Sequence, residues 1–348
     1  MAGAGSPAAP DSAGLQLLGR AREAIQPELR KAVDRLSDPT RTVAGYHLGW
    51  CDRDGYPTAA NPGKGIRPAL VLACAQAVGG PAEAAYAPAA AVELVHQFSI
   101  LHDDLMDADA TRRGRPTAWA VFGKAQALLA GDALLVLAFR ILTELPTPQT
   151  EPGCARELSG TLLELVIGQA ADLAFEERSE VALDECLAMA GGKTASLFAA
   201  ACAIGGMAAV ADPARVRALR AFGWHLGLSF QLVDDWLGVW GDPRTTGKPV
   251  RADLLRRKKS LPVVAALHSG TPAGRRLAEL YGRGRPLSDD EAVTAAALVE
   301  DAGGRDWVER EAARQKGRAM AELALAEPTP EAADALASLA RAARMRDS

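Results

Sequence analysis

The chain has 348 residues, of which 49% are hydrophobic, so it is long enough to bury a sizeable core. Its formal net charge of −4 lacks the basic excess of a nucleic-acid-binding surface, and we expect no nucleic-acid partner. The five cysteines are scattered without a CxxC pair, which indicates reduced thiols in a cytoplasmic protein.

The first fourteen residues are small and polar, contain proline, and lack the basic and apolar segments of a signal peptide. We therefore expect residues 1–14 to form a disordered lead-in. Residues 15–348 are predicted to form one domain, because no internal repeat or composition shift marks a boundary. The longest apolar runs, such as Leu197 to Ala211, fall short of the roughly 20 residues that a bilayer requires, so we expect no membrane span.

Apolar residues recur at three- and four-residue spacing along most of the chain, and the β-branched clusters typical of strands are sparse. This pattern predicts helices over Leu15–Leu36, Ala69–Val78, Ala89–Leu105, Ala125–Leu145, Leu158–Leu173, Leu183–Met207, Val216–Val239, Leu261–Leu267, Asp289–Val299, Asp306–Leu325 and Pro330–Ala343. The prediction is an all-α bundle of roughly a dozen helices.

Within that bundle, the stretches Leu128–Leu142 and Ala195–Val210 are apolar nearly all round, which predicts that both lie at its centre. Residues Cys51–Gly65 and Gly241–Val250 are rich in glycine, proline and polar residues, which predicts two loops.

Two pairs of adjacent aspartates each close a long apolar helix. Asp103-Asp104 is followed by Asp107, and the four-residue spacing puts Asp103 and Asp107 on one helical face. Asp234-Asp235 follows more than a hundred residues later. One such pair alone would be an ordinary solvated helix end. Because Mg²⁺ is usually held by one or two carboxylates together with substrate phosphates, two pairs predict metal ions that hold a polyphosphate.

Basic residues occur near both acidic clusters, where an anionic substrate would need them. They are Lys64, Arg67, Arg112, Arg113, Lys193, Lys248 and Lys258. Lys193-Thr194 begins an alanine-rich stretch after two glycines, where free backbone N–H groups would favour phosphate. Any one of these bases would be an ordinary solvated charge, so the prediction depends on their joint pattern.

The chain resembles the trans-isoprenyl diphosphate synthases, the polyprenyl synthetase family, from roughly Gly63 to Pro262. Five segments carry the resemblance, in this order: GKGIRP, HDDLMD with RRGRPT, GKTASLF, FQLVDDWLG and KKSLP. The resemblance implies a single-domain isoprenoid synthase bundle around a central cavity. It also implies Mg²⁺-dependent, head-to-tail condensation of isopentenyl diphosphate with an allylic diphosphate, carried out by a homodimer.

The resemblance further implies roles for the acidic residues. Asp103 and Asp107 would coordinate two Mg²⁺ ions and Asp234 a third, with Asp104 and Asp235 as supporting acids. In this family the second acidic motif, which begins at Asp234, usually has a third aspartate; this chain has Gly238 at that position. Because Asp234 is present we expect activity to survive, with Asp242 as a possible substitute acting through water.

The substrate-binding residues implied by the resemblance fall into four sets. They are Arg112, Lys193 and Lys248 for the allylic diphosphate; Lys64, Arg67, His96 and Arg113 for isopentenyl diphosphate; Thr194 and Gln231 at the reaction centre; and Lys258 beyond the second acidic cluster. Gln169 and Asp172 also fit the family's pattern, less closely. His96 lies two helical turns before Asp103 on the same face, which favours a ligand role over that of a core histidine.

Phe98 and the adjoining Ser99 are implied as the positions that set chain length. Phe98 lies five residues before Asp103, about 7.5 Å deeper at 1.5 Å per residue, where a large aromatic tends to floor the pocket in this family. With an uninterrupted first motif, this implies geranylgeranyl diphosphate as product, with farnesyl diphosphate next.

Two other readings of the sequence stay open. A class I terpene cyclase binds only one diphosphate and would leave the set containing Lys64 and Arg67 unexplained. A regulatory or cargo subunit with weakened activity is favoured by Gly238 alone, since none of the predicted bases is missing.

Overall fold

The computed structural model of the protein describes residues 12–58, 60, 63–145, 151–241 and 250–342. These residues form sixteen α-helices: α1 (Ser12–Val33), α2 (Thr40–His47), α3 (Ile66–Ala77), α4 (Tyr86–Met106), α5 (Ala118–Phe122), α6 (Lys124–Thr143), α7 (Glu151–Glu177), α8 (Leu183–Ala190), α9 (Ser196–Ala208), α10 (Pro213–Trp240), α11 (Ala252–Leu255), α12 (Leu261–Leu267), α13 (Pro272–Tyr281), α14 (Asp289–Asp301), α15 (Gly304–Leu325) and α16 (Pro330–Ala342).

The remaining regular structure is small. A 3₁₀ turn (Ala82–Ala85) precedes α4, and a π-helical turn (Gly191–Ala195) joins α8 to α9. Strands β1 (Thr111–Arg112) and β2 (Arg115–Pro116) form a two-stranded antiparallel hairpin, the only sheet within the described residues. The predicted all-α class is confirmed.

Sequence periodicity missed four helices: the short α2, α5 and α11, and the longer α13. The eight residues of α2 are too few for a clear apolar repeat. The start of α13 did carry a local signal: the Thr271 hydroxyl accepts a hydrogen bond from the Gly274 N–H, and Pro272 occupies the first turn. A capping threonine followed by proline is a start signal that could have predicted this helix.

The N-terminal helix begins at Ser12, so the predicted lead-in overlaps it by three residues. Residues 1–11 lie outside the described part of the chain. A Cβ built on Gly14 would lie 2.7 Å from the Ser338 carbonyl oxygen and 2.8 Å from Ala342 Cβ. The first turn of α1 is therefore packed closely on α16, a tertiary contact that local composition does not reveal.

Helix α9 lies at the centre of the bundle, as predicted. All but one of its thirteen residues are buried, and it packs against α3, α4, α7 and α10. Small residues allow these approaches: a Cβ on Gly223 of α10 would lie 2.5 Å from the Phe198 carbonyl oxygen. Core residues of α1, α3, α4, α6, α9 and α16, together with those in the first half of α10, belong to one continuous apolar cluster.

Helix α6 was predicted to be central, and that prediction is wrong. Leu128, Leu129 and Val136 are 44%, 54% and 66% exposed. On the neighbouring helix α7, Leu163, Val166 and Ile167 are exposed as well. One side of α6 packs on α4. The exposed apolar side chains of the adjacent helices α6 and α7 are together called the α6–α7 face.

Within the part of the chain that the structure describes, three helical segments have the length and composition of membrane-spanning helices: Lys124–Thr143, Gly153–Glu177 and Leu183–Ala208. This corrects the expectation that no apolar stretch reaches that length, because the polar interruptions within these helices are few. The share of the apolar window that is buried inside the protein is 44%, 28% and 78%, respectively. The third segment is thus mostly enclosed by other helices.

Two glycines allow α7 to touch the π-helical turn backbone to backbone. A Cβ on Gly168 would collide with the backbone nitrogen of Lys193 and lie 2.7 Å from the Gly192 carbonyl carbon. A Cβ on Gly192 would lie 2.7 Å from the Glu164 carbonyl oxygen. The position of the Lys193 backbone therefore depends on the absence of side chains at both places.

We predict that Gly168→Ala destabilises the fold by about 2 kcal/mol, because α7 and the π-helical turn must separate to admit the methyl group. Gly317→Ala on α15 is the control: nothing lies near its Cβ, so it should stabilise by roughly 0.5–1 kcal/mol. Urea unfolding of the two variants measures both effects, and equal stabilisation by both would contradict the close contact.

Candidate active site

The first acidic cluster closes α4. Asp107 follows the last helical residue, and its backbone N–H donates to the Asp103 carbonyl oxygen at 2.9 Å. Burial and the Asp103 charge raise the pKa of Asp107 above its usual value. The C-terminal end of a helix carries partial negative charge, so carboxylates there need nearby cations.

Asp104 is buried and holds the hairpin. Its Oδ1 accepts a hydrogen bond from Arg112 Nε at 2.5 Å, and Arg112 Nη2 lies 3.9 Å from Asp103 Oδ2. Burial raises the pKa of Asp104 to about 6, although the Arg112 charge opposes this. Asp104 thereby orients Arg112 toward the more exposed Asp103.

Lys193 links helices α4 and α7. Its Nζ donates to Asp103 Oδ1 at 3.0 Å and to Asp172 Oδ2 at 2.6 Å. The expectation that Lys193 begins a helix with free N–H groups is wrong, because residues 183–208 run as one helix interrupted by the π-helical turn. π turns are often found at functional sites, and here the extra residue directs Lys193 between two carboxylates.

The second acidic cluster closes α10, and its two aspartates differ in exposure. Asp234 is half-buried, whereas Asp235 is buried. Asp235 accepts hydrogen bonds from Gln231 Nε2 at 2.7 Å and from the Leu261 N–H at 2.9 Å. Burial raises the pKa of Asp235 to about 6. Asp235 thus fixes the start of α12 against α10 and leaves Asp234 as the more accessible acid.

A hydrogen-bonded chain joins the π-helical turn to this cluster. Thr194 Oγ1 donates to Gln231 Oε1 at 2.7 Å, and Gln231 in turn donates to Asp235. The predicted reaction-centre residues Thr194 and Gln231 therefore contact each other directly.

Lys258 also approaches Asp172: its Nζ lies 3.7 Å from Asp172 Oδ2, the oxygen that accepts from Lys193. Burial lowers the pKa of Lys258, but Asp172, Asp253 and other carboxylates raise it more, so the net shift is upward. Asp172 consequently lies between two ammonium groups, those of Lys193 and Lys258. Lys248 and Asp242, both named from the sequence, lie outside the described residues.

A second basic set surrounds His96 on the side of α4 toward α3. Arg67 Nη1 donates to His96 Nε2 at 3.1 Å, and the Arg67 guanidinium lies 4.7 Å from the centre of the Phe198 ring. Burial and the charges of Arg67 and Arg113 lower the pKa of His96 well below its usual value. Because an arginine can only donate, His96 is held as a neutral acceptor rather than a cation.

Arg113 reaches the same region from the hairpin. A Cβ on Gly63 would lie 2.5 Å from Arg113 Nη2 and 2.7 Å from Cζ, so a side chain at this position would displace the guanidinium. Gly63 also has a φ of 95°, which other residues rarely adopt. Lys64 follows it directly, so the loop brings Lys64 and Arg113 to one place.

Sequence reasoning missed Glu93, the counter-charge of this set. Glu93 is buried, accepts a hydrogen bond from Gln97 Nε2 at 2.5 Å, and interacts electrostatically with Arg67 and Arg113. Burial raises its pKa. A glutamate within the apolar run of α4, three residues before His96, was the available signal, since buried acids are almost always paired.

Phe98 and Ser99 lie on α4 between the two sets. The Phe98 ring is buried and packs edge-on against His102, with ring centres 4.6 Å apart; His102 Nε2 lies 3.1 Å from the Leu128 carbonyl oxygen of α6. The smaller Ser99 donates to the His96 carbonyl oxygen at 2.8 Å. The Phe98 ring is thereby held against His102, and His102 in turn contacts α6.

The acidic residues fit a divalent cation that is bound jointly with a substrate. Within the described residues, no three His, Cys, Asp or Glu side chains lie close enough to hold a metal by themselves. An ammonium group already lies between the Asp103 and Asp172 carboxylates, which shows that this space attracts positive charge. Carboxylate oxygens in ones and twos suit Mg²⁺, whose other ligands are water and phosphate oxygens.

We predict that the imidazoles of His96 and His47 stay neutral at pH 5.5. Burial and arginine charges lower both pKa values, that of His47 to about 3, so the protonated forms appear only at lower pH. Nitrogen-15 histidine NMR across pH 5–8 measures this, with His96→Gln and His47→Gln used to assign the two signals. Protonation of either ring near pH 6.5 would contradict the burial argument.

Comparison with known proteins places this site in a family. The Polyprenyl synthetase family matches residues 53–299. A (2E,6E)-farnesyl diphosphate synthase of Mycobacterium tuberculosis is 52% identical over 304 residues, covering 86% of this chain and 84% of that protein. A geranylgeranyl diphosphate synthase of the same organism is 47% identical over 322 residues, 92% of each chain. A polyprenyl synthetase structure from Streptomyces coelicolor A3(2) superposes with TM-score 0.88 and 46% identity, covering 93% of this chain and 98% of that one.

Proposed function

The chain belongs to the polyprenyl synthetase family and is a trans-prenyltransferase that condenses isopentenyl diphosphate with allylic diphosphates, and we propose that it makes geranylgeranyl diphosphate. Enzymes of this family use Mg²⁺ with their diphosphate substrates. The chain-length proposal is supported chiefly by the buried Phe98 ring, fixed one turn and a half before Asp103. Farnesyl diphosphate is the second candidate, because the relative that is 52% identical carries that name.

We propose that three Mg²⁺ ions bind, two at Asp103 and Asp107 and one at Asp234. The Lys193 ammonium beside Asp103 supports a requirement for positive charge at the first cluster. Asp104 and Asp235 act as positioning residues, since each is buried and engaged by neighbours. When bound, Mg²⁺ supplies charge neutralisation for the departing diphosphate.

Arg112, Lys193 and Lys248 are proposed to bind the allylic diphosphate. The Lys193 ammonium group contacts the carboxylates of Asp103 and Asp172 in this structure. When a diphosphate binds with its metal ions, its oxygens would replace these carboxylate oxygens at the ammonium group. Lys258 is proposed to assist, since its ammonium group approaches the same Asp172 oxygen as that of Lys193. These cations stabilise the negative charge that builds up as the carbon–oxygen bond breaks.

Isopentenyl diphosphate is proposed to bind Lys64, Arg67, His96 and Arg113. Glu93 attracts both arginines through its charge and offsets their mutual repulsion, and neutral His96 accepts from Arg67. Two fixed diphosphate sites bring the isopentenyl double bond toward the allylic carbon, and such positioning is a large part of catalysis.

The proposed reaction requires no side chain of the protein to act as a general acid or base. The allylic carbon–oxygen bond breaks, the isopentenyl double bond attacks that carbon, and the bound diphosphate accepts the proton lost from the new cation. Thr194 and Gln231 line the proposed reaction centre, where their mutual hydrogen bond keeps the two polar groups occupied. The apolar surfaces of α9 and α4 exclude water that would otherwise trap the cation.

The experiment that tests the function sizes the dephosphorylated products. Purified protein is incubated with isopentenyl diphosphate, Mg²⁺ and each allylic primer in turn. We expect a twenty-carbon alcohol that requires both substrates and the metal. Products that stop at fifteen carbons would contradict the chain length, and a folded protein without any product would contradict the catalytic assignment of these residues.

We predict that Phe98→Ala lengthens the product, because removing the ring opens the space between α4 and α6 ahead of the growing chain. The control is Phe175→Ala, which truncates another buried phenylalanine on α7 and should have a similar cost in stability. Product length is compared by chromatography at equal conversion. An unchanged product length in Phe98→Ala would mean that another residue ends elongation.

We further propose a cytoplasmic homodimer that covers the α6–α7 face. Its exposed side chains recur at helical spacing on both helices, and contiguous apolar surface of this kind marks an interface. A second copy is favoured over a lipid surface because the face lies on helices that also pack in the bundle core. The five unpaired cysteines fit a reducing compartment.

Ile167→Glu should convert the dimer to a monomer, since a buried unpaired charge is costly at an apolar interface. Val293→Glu, at an isolated exposed valine of α14, is the control and should leave the dimer intact. Light scattering after gel filtration gives the mass. A monomeric parent protein that floats with phospholipid vesicles would instead assign the face to a membrane.

A further inference from the structure

Gly238 lies where the second acidic cluster lacks its third carboxylate. It follows Asp234 by four residues in α10, so both positions share one helical face, as Asp103 and Asp107 do in α4. An aspartate at this position would put two carboxylates one turn apart. The chain supplies no side chain there.

The space beside Gly238 holds the carboxylate of Asp253. A Cβ built on Gly238 would collide with Asp253 Oδ2 and lie 2.6 Å from its Cγ and 3.3 Å from Oδ1. The Asp253 carboxylate therefore occupies the region that a side chain of residue 238 would enter. Glycine is required at 238 for as long as Asp253 stays in this position.

The backbone around Asp253 is fixed by three contacts. The turn α11 begins after Arg251, which has a φ of 59°, and Leu254 is fully buried in the same apolar cluster as Val239 of α10. The Asp253 carbonyl oxygen accepts from the Lys258 N–H at 2.8 Å, and the Leu255 carbonyl oxygen accepts from Leu287. The carboxylate is held at α10 by packing on both sides of it.

The charges around Asp253 are those of the proposed site. Asp253 interacts electrostatically with Lys258, Asp235 and Arg256. Asp235 is occupied by Gln231 and the Leu261 N–H. Asp253 consequently belongs to the second acidic cluster in space, although fifteen residues of sequence separate it from Gly238.

We propose that Asp253 serves as the missing third carboxylate of the second acidic cluster and holds, together with Asp234, the divalent cation that accompanies the allylic diphosphate. This deepens the metal-dependent function proposed above and rests on it. Because the carboxylate comes from a separate segment, the chain keeps a two-carboxylate metal position without an aspartate at 238.

The test measures binding of inorganic diphosphate by calorimetry, with and without Mg²⁺. In Asp253→Asn, diphosphate affinity with Mg²⁺ should fall about 10- to 100-fold, the range for losing a residue that supports a metal. Without Mg²⁺ the affinity should stay equal or rise, because a negative charge has left a basic site. Asp334→Asn, at an exposed acid of α16, is the control and should match the parent protein under both conditions.

A relocation variant tests the position itself. Gly238→Asp alone should destabilise the fold, because its side chain collides with Asp253. Gly238→Asp combined with Asp253→Gly should restore Mg²⁺-dependent affinity to within about threefold of the parent, as expected where two residues share one role. Melting temperature is measured first, and the Asp253→Asn result decides if the double variant does not fold.

Three outcomes would overturn the inference. Parent-like Mg²⁺-dependent affinity in Asp253→Asn would exclude the role. An equal loss with and without Mg²⁺ would make Asp253 a structural support of Lys258, as would failure of the folded double variant to recover. A parent protein that binds no diphosphate with Mg²⁺ would contradict the proposed metal sites themselves, together with this inference.

Discussion

The contact on which the site depends is that of the Lys193 ammonium group between the Asp103 and Asp172 carboxylates. Carboxylates at the end of α4 face the negative end of the helix as well as each other, so they need a cation nearby. Lys193 reaches them only because a π-helical turn interrupts the helix, and that turn lies against α7 only because Gly168 and Gly192 carry no side chains. The position of the positive charge at the site therefore depends on the close backbone packing of α7 against the π-helical turn.

The basic side of the site is governed by burial. Arg67 lies in a low-dielectric environment that lowers its pKa to about 10, and Glu93 partly offsets that cost. His96 responds in the opposite sense to a carboxylate: burial and adjacent arginines favour its neutral form. The site proposed to bind two diphosphates therefore contains cations, a neutral imidazole and a buried acid, each in the charge state its surroundings impose.

Periodicity in the sequence was sufficient for the all-α class and for most helices, including the buried α9. It also put Asp103 and Asp107 on one face, since helical spacing is local. Its error about the position of α6 has a physical cause. A helix that is apolar all round is central if other helices surround it, as for α9, but the same pattern in α6 leaves one side open at the surface. An apolar pattern predicts that a helix surface is buried, but it does not show whether the same chain or another molecule buries it.

The sequence by itself determined the residue types of the site, the spacing of its acids and the resemblance that the family comparison confirmed. Tertiary structure alone decided that Lys193 lies in a π-helical turn, that Glu93 opposes two arginines, and that Asp253 fills the space beside Gly238. The physical reason is distance along the chain. Helical spacing relates residues that are three or four positions apart in the chain. These contacts instead join distant segments that only tertiary packing brings together, and the electrostatic energy between two charges depends on their distance in space.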